Sequence, residues 1–156
     1  MGKAGDSHAM VKEDVAYATC KEEVENILAD FRNRDIPVAV INEHLQGDLV
    51  KFYGVHGTDF FYWFYPSPCS HSKFGLEKIN GIAKGIPFSV EELKIQSDKA
   101  AEALNVPIYG GDCVVSADGT LRIIDFNDWP SFARCREEAG GKIAECIYKR
   151  AKKQMK

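Results

Sequence analysis

The stretch "LRIIDFNDWPSF", Leu121 to Phe132, decides how this chain reads. Leu121 to Phe126 is rich in β-branched and aromatic residues and reads as a buried strand. Yet a carboxylate, Asp125, sits near its end, and an amide, Asn127, follows two positions later. Side chains two apart on a strand share a face. An acid and an amide side by side at the end of an apolar strand, closed by Trp129-Pro130, pose the question of what they are there to hold.

Working outward, "VPIYGGDCVVSADGTLRIIDFN" reads as a two-stranded hairpin around Ala117-Asp118-Gly119, a strong turn signal. A short turn brings Asp112 on the first strand close to the end of the second. Two carboxylates and an amide oxygen on one sheet face make a hard, all-oxygen site of the kind that suits Mg²⁺. Without a cation the two acids repel, and one stays protonated. The plainer alternative has Asn127-Asp128 opening a turn and Asp128 capping the next helix. From these three residues alone the plainer alternative is favoured, and the remaining pieces shift the balance.

The rest of the chain places this hairpin in an α+β order. "EDVAYA" (13–18) reads as a short strand, and "CKEEVENILADFRNRD" (20–35) as an amphipathic helix with Val24, Ile27, Leu28 and Phe31 on one stripe. Pro37 ends it and opens the strand "VAVINEHL" (38–45). "LVKFYGV" (49–55) and "FFYWFYP" (60–66) follow at hairpin spacing, so that the three strands make an antiparallel meander. Residues 66–88 have no sustained period. Ser89 and Glu92 form a capping box for a helix over 90–105, with Leu93, Ala100, Ala101 and Leu104 on its inner face. After the hairpin comes a last helix with Ile143, Cys146 and Ile147 inward.

At 156 residues, 45% apolar and 28% charged, the composition is that of a globular domain or two joined lobes. A net charge of −3 gives no drive toward nucleic acid or membrane, and no apolar run is long enough to span a bilayer. The basic end "KRAKKQMK" reads as a solvated last helical turn. Five cysteines without a CxxC pair point to a reduced, cytoplasmic setting. His71 beside Cys69 reads as a loop pair, since two further metal ligands are not in view.

With these pieces in order, the sequence resembles the ATP-grasp superfamily, in which a nucleotide lies between two α+β lobes. "DFNDWP" is similar to the acid-x-Asn pair and following proline that end that family's active-site sheet, and the Asp-first form resembles its inositol phosphate kinase branch. "GGD", ending at Asp112, resembles the context of the third metal ligand. The resemblance implies that Asp112, Asp125 and Asn127 hold Mg²⁺ on the phosphates of ATP. It makes "VAVINEHLQGD" the hinge, with Glu43, His44 and Leu45 meeting adenine, although His44 stands where relatives carry an aromatic residue. Asp48 would then accept from the ribose hydroxyls. Lys51 matches a strand lysine that faces phosphate and carries the catalytic role; read alone, it is a snorkelling surface lysine. Lys3 stands 40 residues before Glu43, at the spacing of a phosphate-binding lysine, and "KAGDSHA" occupies the place of a glycine-rich loop with only Gly2 and Gly5.

The resemblance runs from Lys3 to the last helix, and it divides the chain into a lid part (1–45) and a lobe carrying the metal site (46–156). Relatives begin with a further N-terminal domain, so the expectation is a fragment that meets this domain of its parent chain and shows little turnover alone. The function implied is Mg-ATP-dependent activation of a carboxylate in a small-molecule acceptor by a ligase. The alternatives are a small-molecule kinase, favoured by the Asp-x-Asn form and Lys51, and a non-catalytic module that binds nucleotide or a partner. Lys73, Arg134 and Arg136 are weaker candidates for contacts to an anionic substrate. The aromatic run at 60–66 reads as strand core plus interface; left uncovered, it drives self-association and so allows a homodimer.

Overall fold

A computed structural model describes residues 2–4, 12–66 and 81–155 of the chain, with the backbone alone at 2–4 and 12. It is an α+β fold with two antiparallel sheets. The described residues fall into two compact units, one up to Leu45 and the other from Gln46 onward.

In the first unit β1 (Gly2–Ala4) is flanked by β2 (Val15–Ala16) and β3 (Ala39–Ile41), giving the order β2-β1-β3. Helix α1 (Lys21–Asn33) buries Phe31. Its first turn is held by Glu23, whose Oε2 accepts from Thr19 N at 2.6 Å and Thr19 Oγ1 at 2.9 Å. Behind it Arg34 pairs with the buried Asp14.

Three expectations change here. "EDVAYA" gives only a two-residue strand, because a 3-10 turn over Lys12–Asp14 carries Asp14 to Arg34. The strand "VAVINEHL" stops at Ile41. Its partner is the three-residue β1, in the register Ala4↔Ala39 to Gly2↔Ile41, and a strand ends where its ladder does. It therefore belongs to the sheet of β1 and β2, and the three-strand meander reduces to one hairpin.

The second unit is built on a four-stranded sheet in the order β5-β4-β6-β7, from β4 (Asp48–Val55), β5 (Phe61–Phe64), β6 (Ile108–Val115) and β7 (Leu121–Asp128). Alternation along the strands splits its side chains between two helices. On one face Val50, Phe52, Tyr109, Cys113 and Val115 pack with Leu93 and Ala101 of α2 (Val90–Leu104). On the other, Val55 and Ile108 pack with Ala139 and Cys146 of α3 (Arg136–Gln154), together with Phe60 and Phe132. Ser89 caps α2 by accepting from Glu92 N at 3.1 Å, and Asn105 closes it in the left-handed conformation. The buried stripe of α2 is Leu93, Ser97 and Ala101, at spacings of four, which leaves Leu104 exposed. In α3 Cys146 is buried and Ile147 is half exposed.

Candidate functional site

Leu121 and Ile123 face the α2 core. A regular strand would send Asp125 to the same apolar face, since its side chains repeat every two residues. A β-bulge prevents this. The register runs Asp112↔Asp125 and then Cys113↔Ile123, so Ile124 has no partner and stands 53% exposed. One inserted residue flips everything beyond it. Phe126 thus returns to the α2 core, while Asp125 and Asn127 turn to the face that carries α3.

Asp112 and Lys51 occupy that same face, because Lys51 pairs with Asp112 across β4–β6 and with Phe64 across β4–β5. The result is one row across all four strands: Asp125, Asp112, Lys51, Phe64. Lys51 Nζ donates to both carboxylate oxygens of Asp112, each at 3.0 Å. Asn127 Nδ2 donates to Asp125 Oδ2 at 2.6 Å. Lys51 and Asp112 are about a quarter exposed, and Asp125 and Asn127 are exposed. Lys51 lies four residues before Val55, about 13 Å along the strand, which is why the α3 contacts at Val55 sit toward one end of this face.

Gly111 lets β6 and β7 approach closely at the bulge: a Cβ there would collide with the backbone oxygen of Asp125 and lie 2.7 Å from Phe52 Cζ. Gly110, opposite Asn127, leaves a flat spot where Pro130 lies; a Cβ there would sit 2.8 Å from Pro130 Cγ. The two glycines of "GGD" thus serve the hairpin's packing, beside the carboxylate they precede.

Asp48, which the resemblance gives to the ribose, bonds to backbone in this structure. It is buried at the start of β4, and its two oxygens accept from Lys84 N at 2.7 Å and Ile86 N at 2.8 Å. Its acceptor capacity facing the interior is engaged by the backbone of 84–86. Glu43, His44 and Leu45 lie in the irregular stretch after β3 in the first unit, where the ring of His44 meets Tyr17 edge-on at 5.0 Å. Lys3 lies in the central strand of that unit. Residues 5–9 of "KAGDSHA", and Cys69, His71 and Lys73, fall outside the described residues.

Among the described residues no three His, Cys, Asp or Glu side chains cluster as metal ligands. The donor set at the row is two carboxylates and an amide, the hard oxygen chemistry that Mg²⁺ takes while keeping waters of its own. A cleft of about 630 Å³ lies elsewhere, between the ends of α2 and α3, lined by His56, Glu102, Asn105 and basic residues of the last helix turns. It contains neither the row nor any acid pair. No helix among the described residues is long and apolar enough to cross a membrane. No protein family matches the chain, and no curated protein or solved structure is significantly similar to it.

Proposed function

We propose that the chain is a Mg-ATP-binding domain of the ATP-grasp kind, from a parent enzyme that activates a carboxylate by phosphoryl transfer. The observation that carries this reading is the row itself. Asp112 and Asp125 stand directly opposite each other on adjacent strands, with Asn127 bonded to the second acid. Like charges directly across a ladder are unfavourable, and a divalent cation resolves the repulsion. Asp112, Asp125 and Asn127 would hold Mg²⁺, which when bound supplies neutralising charge on the phosphates. Lys51 holds Asp112 in place and presents an ammonium next to the phosphates. Positioning and charge neutralisation are what phosphoryl transfer asks of a protein, and no nucleophile from the chain is required.

The resemblance gives Lys3 and Glu43 to Leu45 to the nucleotide, and the acceptor to the parent's N-terminal domain. A requirement for an amine co-substrate would mark ligase chemistry; phosphorylation of a polyol without one would mark a kinase. We place the protein in the cytoplasm, in keeping with the unpaired thiols of Cys20, Cys113, Cys135 and Cys146.

One observation favours a second reading, a non-catalytic module. Lys51 already donates to both oxygens of Asp112, so a fixed protein cation stands beside one of the two acids. Calorimetric titration of Mg-ADP and a non-hydrolysable Mg-ATP analogue, with and without Asp125→Ala, tests the main reading. Magnesium-dependent binding lost in the variant supports it. Binding unaffected by magnesium and by the substitution refutes the metal assignment, and binding without turnover in the longer parent favours the module.

A further inference from the structure

The row ends at Phe64, and a guanidinium lies on that end. Arg134 Cζ stands 4.4 Å from the Phe64 ring centroid. It is carried there by the segment between β7 and α3, which crosses the face beside the row. Trp129 N donates to Ile108 O at 2.9 Å, Pro130 lies on Gly110, and the ring of Phe132 packs 5.3 Å from Tyr53 and 6.3 Å from Phe60. Holding this path puts two non-glycine residues, Trp129 (φ 44°) and Phe132 (φ 49°), in the left-handed region. Such conformations are unfavourable for bulky side chains, persist only where the surroundings enforce them, and concentrate at functional sites. The strained strap therefore fixes where Arg134 emerges.

Arg134 is exposed, and among the described residues no carboxylate pairs with it. An aromatic face holds the plane of a guanidinium without using its N–H donors, which then remain available to an oxyanion. The row is thus polarised: two acids at the β7 side, Lys51 in the middle, Arg134 at the β5 side. Two strand spacings of about 4.8 Å separate β6 from β5. A cation about 2.1 Å from a carboxylate oxygen, one phosphate group, and a guanidinium contact of about 2.8 Å together span a gap of that size.

We propose that Arg134 binds the terminal phosphate of a magnesium-bound polyphosphate lying along this row, with Phe64 as the plate that orients it. This rests on the nucleotide reading above and adds to it a residue and a specific phosphate. The probes are magnesium pyrophosphate, a non-hydrolysable Mg-ATP analogue and Mg-ADP, titrated into the full chain, Arg134→Gln and Arg134→Lys, with thermal unfolding as the check on folding. A lost charge-assisted contact predicts binding of the analogue weakened about tenfold or more in the glutamine variant. Pyrophosphate should weaken with it, Mg-ADP much less, and lysine should recover part of the loss. Binding of the analogue by Arg134→Gln as tight as by the intact chain overturns the assignment while leaving the nucleotide site standing. An equal loss for Mg-ADP overturns the terminal-phosphate role. If the intact chain binds none of the three probes, this inference and the nucleotide reading fall together.

Discussion

Asp48 separates a structural reading from a ligand-binding one. The resemblance gives it the ribose; the structure gives it two backbone amides, at 2.7 and 2.8 Å, from a side chain in a residue that is only 3% exposed. Asp48→Ala removes both contacts. Hydrogen bonds to a charged acceptor contribute about 1.5–3 kcal/mol each, which would set a loss of about 3–6 kcal/mol if neither donor found water. Lys84 is exposed and Ile86 partly so, so both amides rehydrate in part. The expected loss is therefore about 2–4 kcal/mol. Asp48→Asn keeps one acceptor oxygen but turns an NH₂ toward a second N–H, and should fall between alanine and the intact chain.

The assay has a reporter in place. Residues 84–86 lead into Phe88, whose ring packs edge-on against Trp63 at 5.0 Å. The only other tryptophan, Trp129, is 62% exposed and is silenced as Trp129→Phe. Urea denaturation in that background, read by Trp63 emission and by far-ultraviolet circular dichroism, gives the stability change. If the 84–86 segment is released first, the Trp63 signal shifts to the red before the global transition. A stability loss below about 1 kcal/mol, with nucleotide binding nevertheless weakened, would refute the structural argument and return Asp48 to the ribose.

Two further predictions follow from the hairpin. Gly111→Ala drives a methyl group into the Asp125 carbonyl, which the β6–β7 ladder holds, and into the fully buried Phe52; we expect a loss of about 3 kcal/mol or more, and amide spectra showing the disturbed bulge. A variant within 1 kcal/mol of the unsubstituted chain would mean that the strands separate freely there. Burial pushes the Cys113 thiol up to about 11 from an ordinary 9.0, with the charge of Asp112 a smaller contribution. The unfolded thiol ionises first, so stability is intact below pH 9 and is lost by about 2 kcal/mol as pH rises to 11. Cys113→Ala should flatten that slope in denaturation curves taken from pH 8 to 11, leaving the portion above pH 10 that belongs to Tyr109, whose phenol is raised by burial and by Asp98. An unchanged slope would assign the alkaline loss elsewhere.

The residues that were legible in sequence are those whose signals are local. The Ser89–Glu92 cap, the turn at Asp118-Gly119 and the alternation of β4 each depend on neighbours a few positions away. The bulge at Ile124 was not legible. "RIID" looks like any strand, and only the pairing with β6 shows that one residue is extra. The placing of β3 failed for the same reason, since its partner is β1, more than thirty residues earlier, and not the strand next in sequence. Asp48 was given to the ribose by resemblance alone, and its bonds to the backbone of 84–86 join residues 36 and 38 positions apart. Arg134 was visible only as one arginine near the site; its place over Phe64 requires the path of the strap.

What the plainer reading of the site must explain is the choice of faces. An ion pair alone accounts for Lys51 and Asp112, which are adjacent on neighbouring strands and partly buried. A strand end alone accounts for Asn127-Asp128. Neither accounts for the bulge, which takes Asp125 away from the apolar α2 face and sets it directly across from Asp112. At a separation near 5 Å and a surface-like effective dielectric of 20 to 80, that juxtaposition costs about 1–3 kcal/mol when both acids are charged. Lys51 offsets part of it, and the Asn127 amide offers one further hydrogen bond. Without the bulge the same strand would bury an unpaired carboxylate against Phe52 and Leu93, which costs more still. The bulge thus keeps an acid that an apolar residue could replace at either register with less difficulty. Retaining it on an open face, between an asparagine and a lysine-bound aspartate and in line with a guanidinium, makes sense for a strand that meets a cation and its anion.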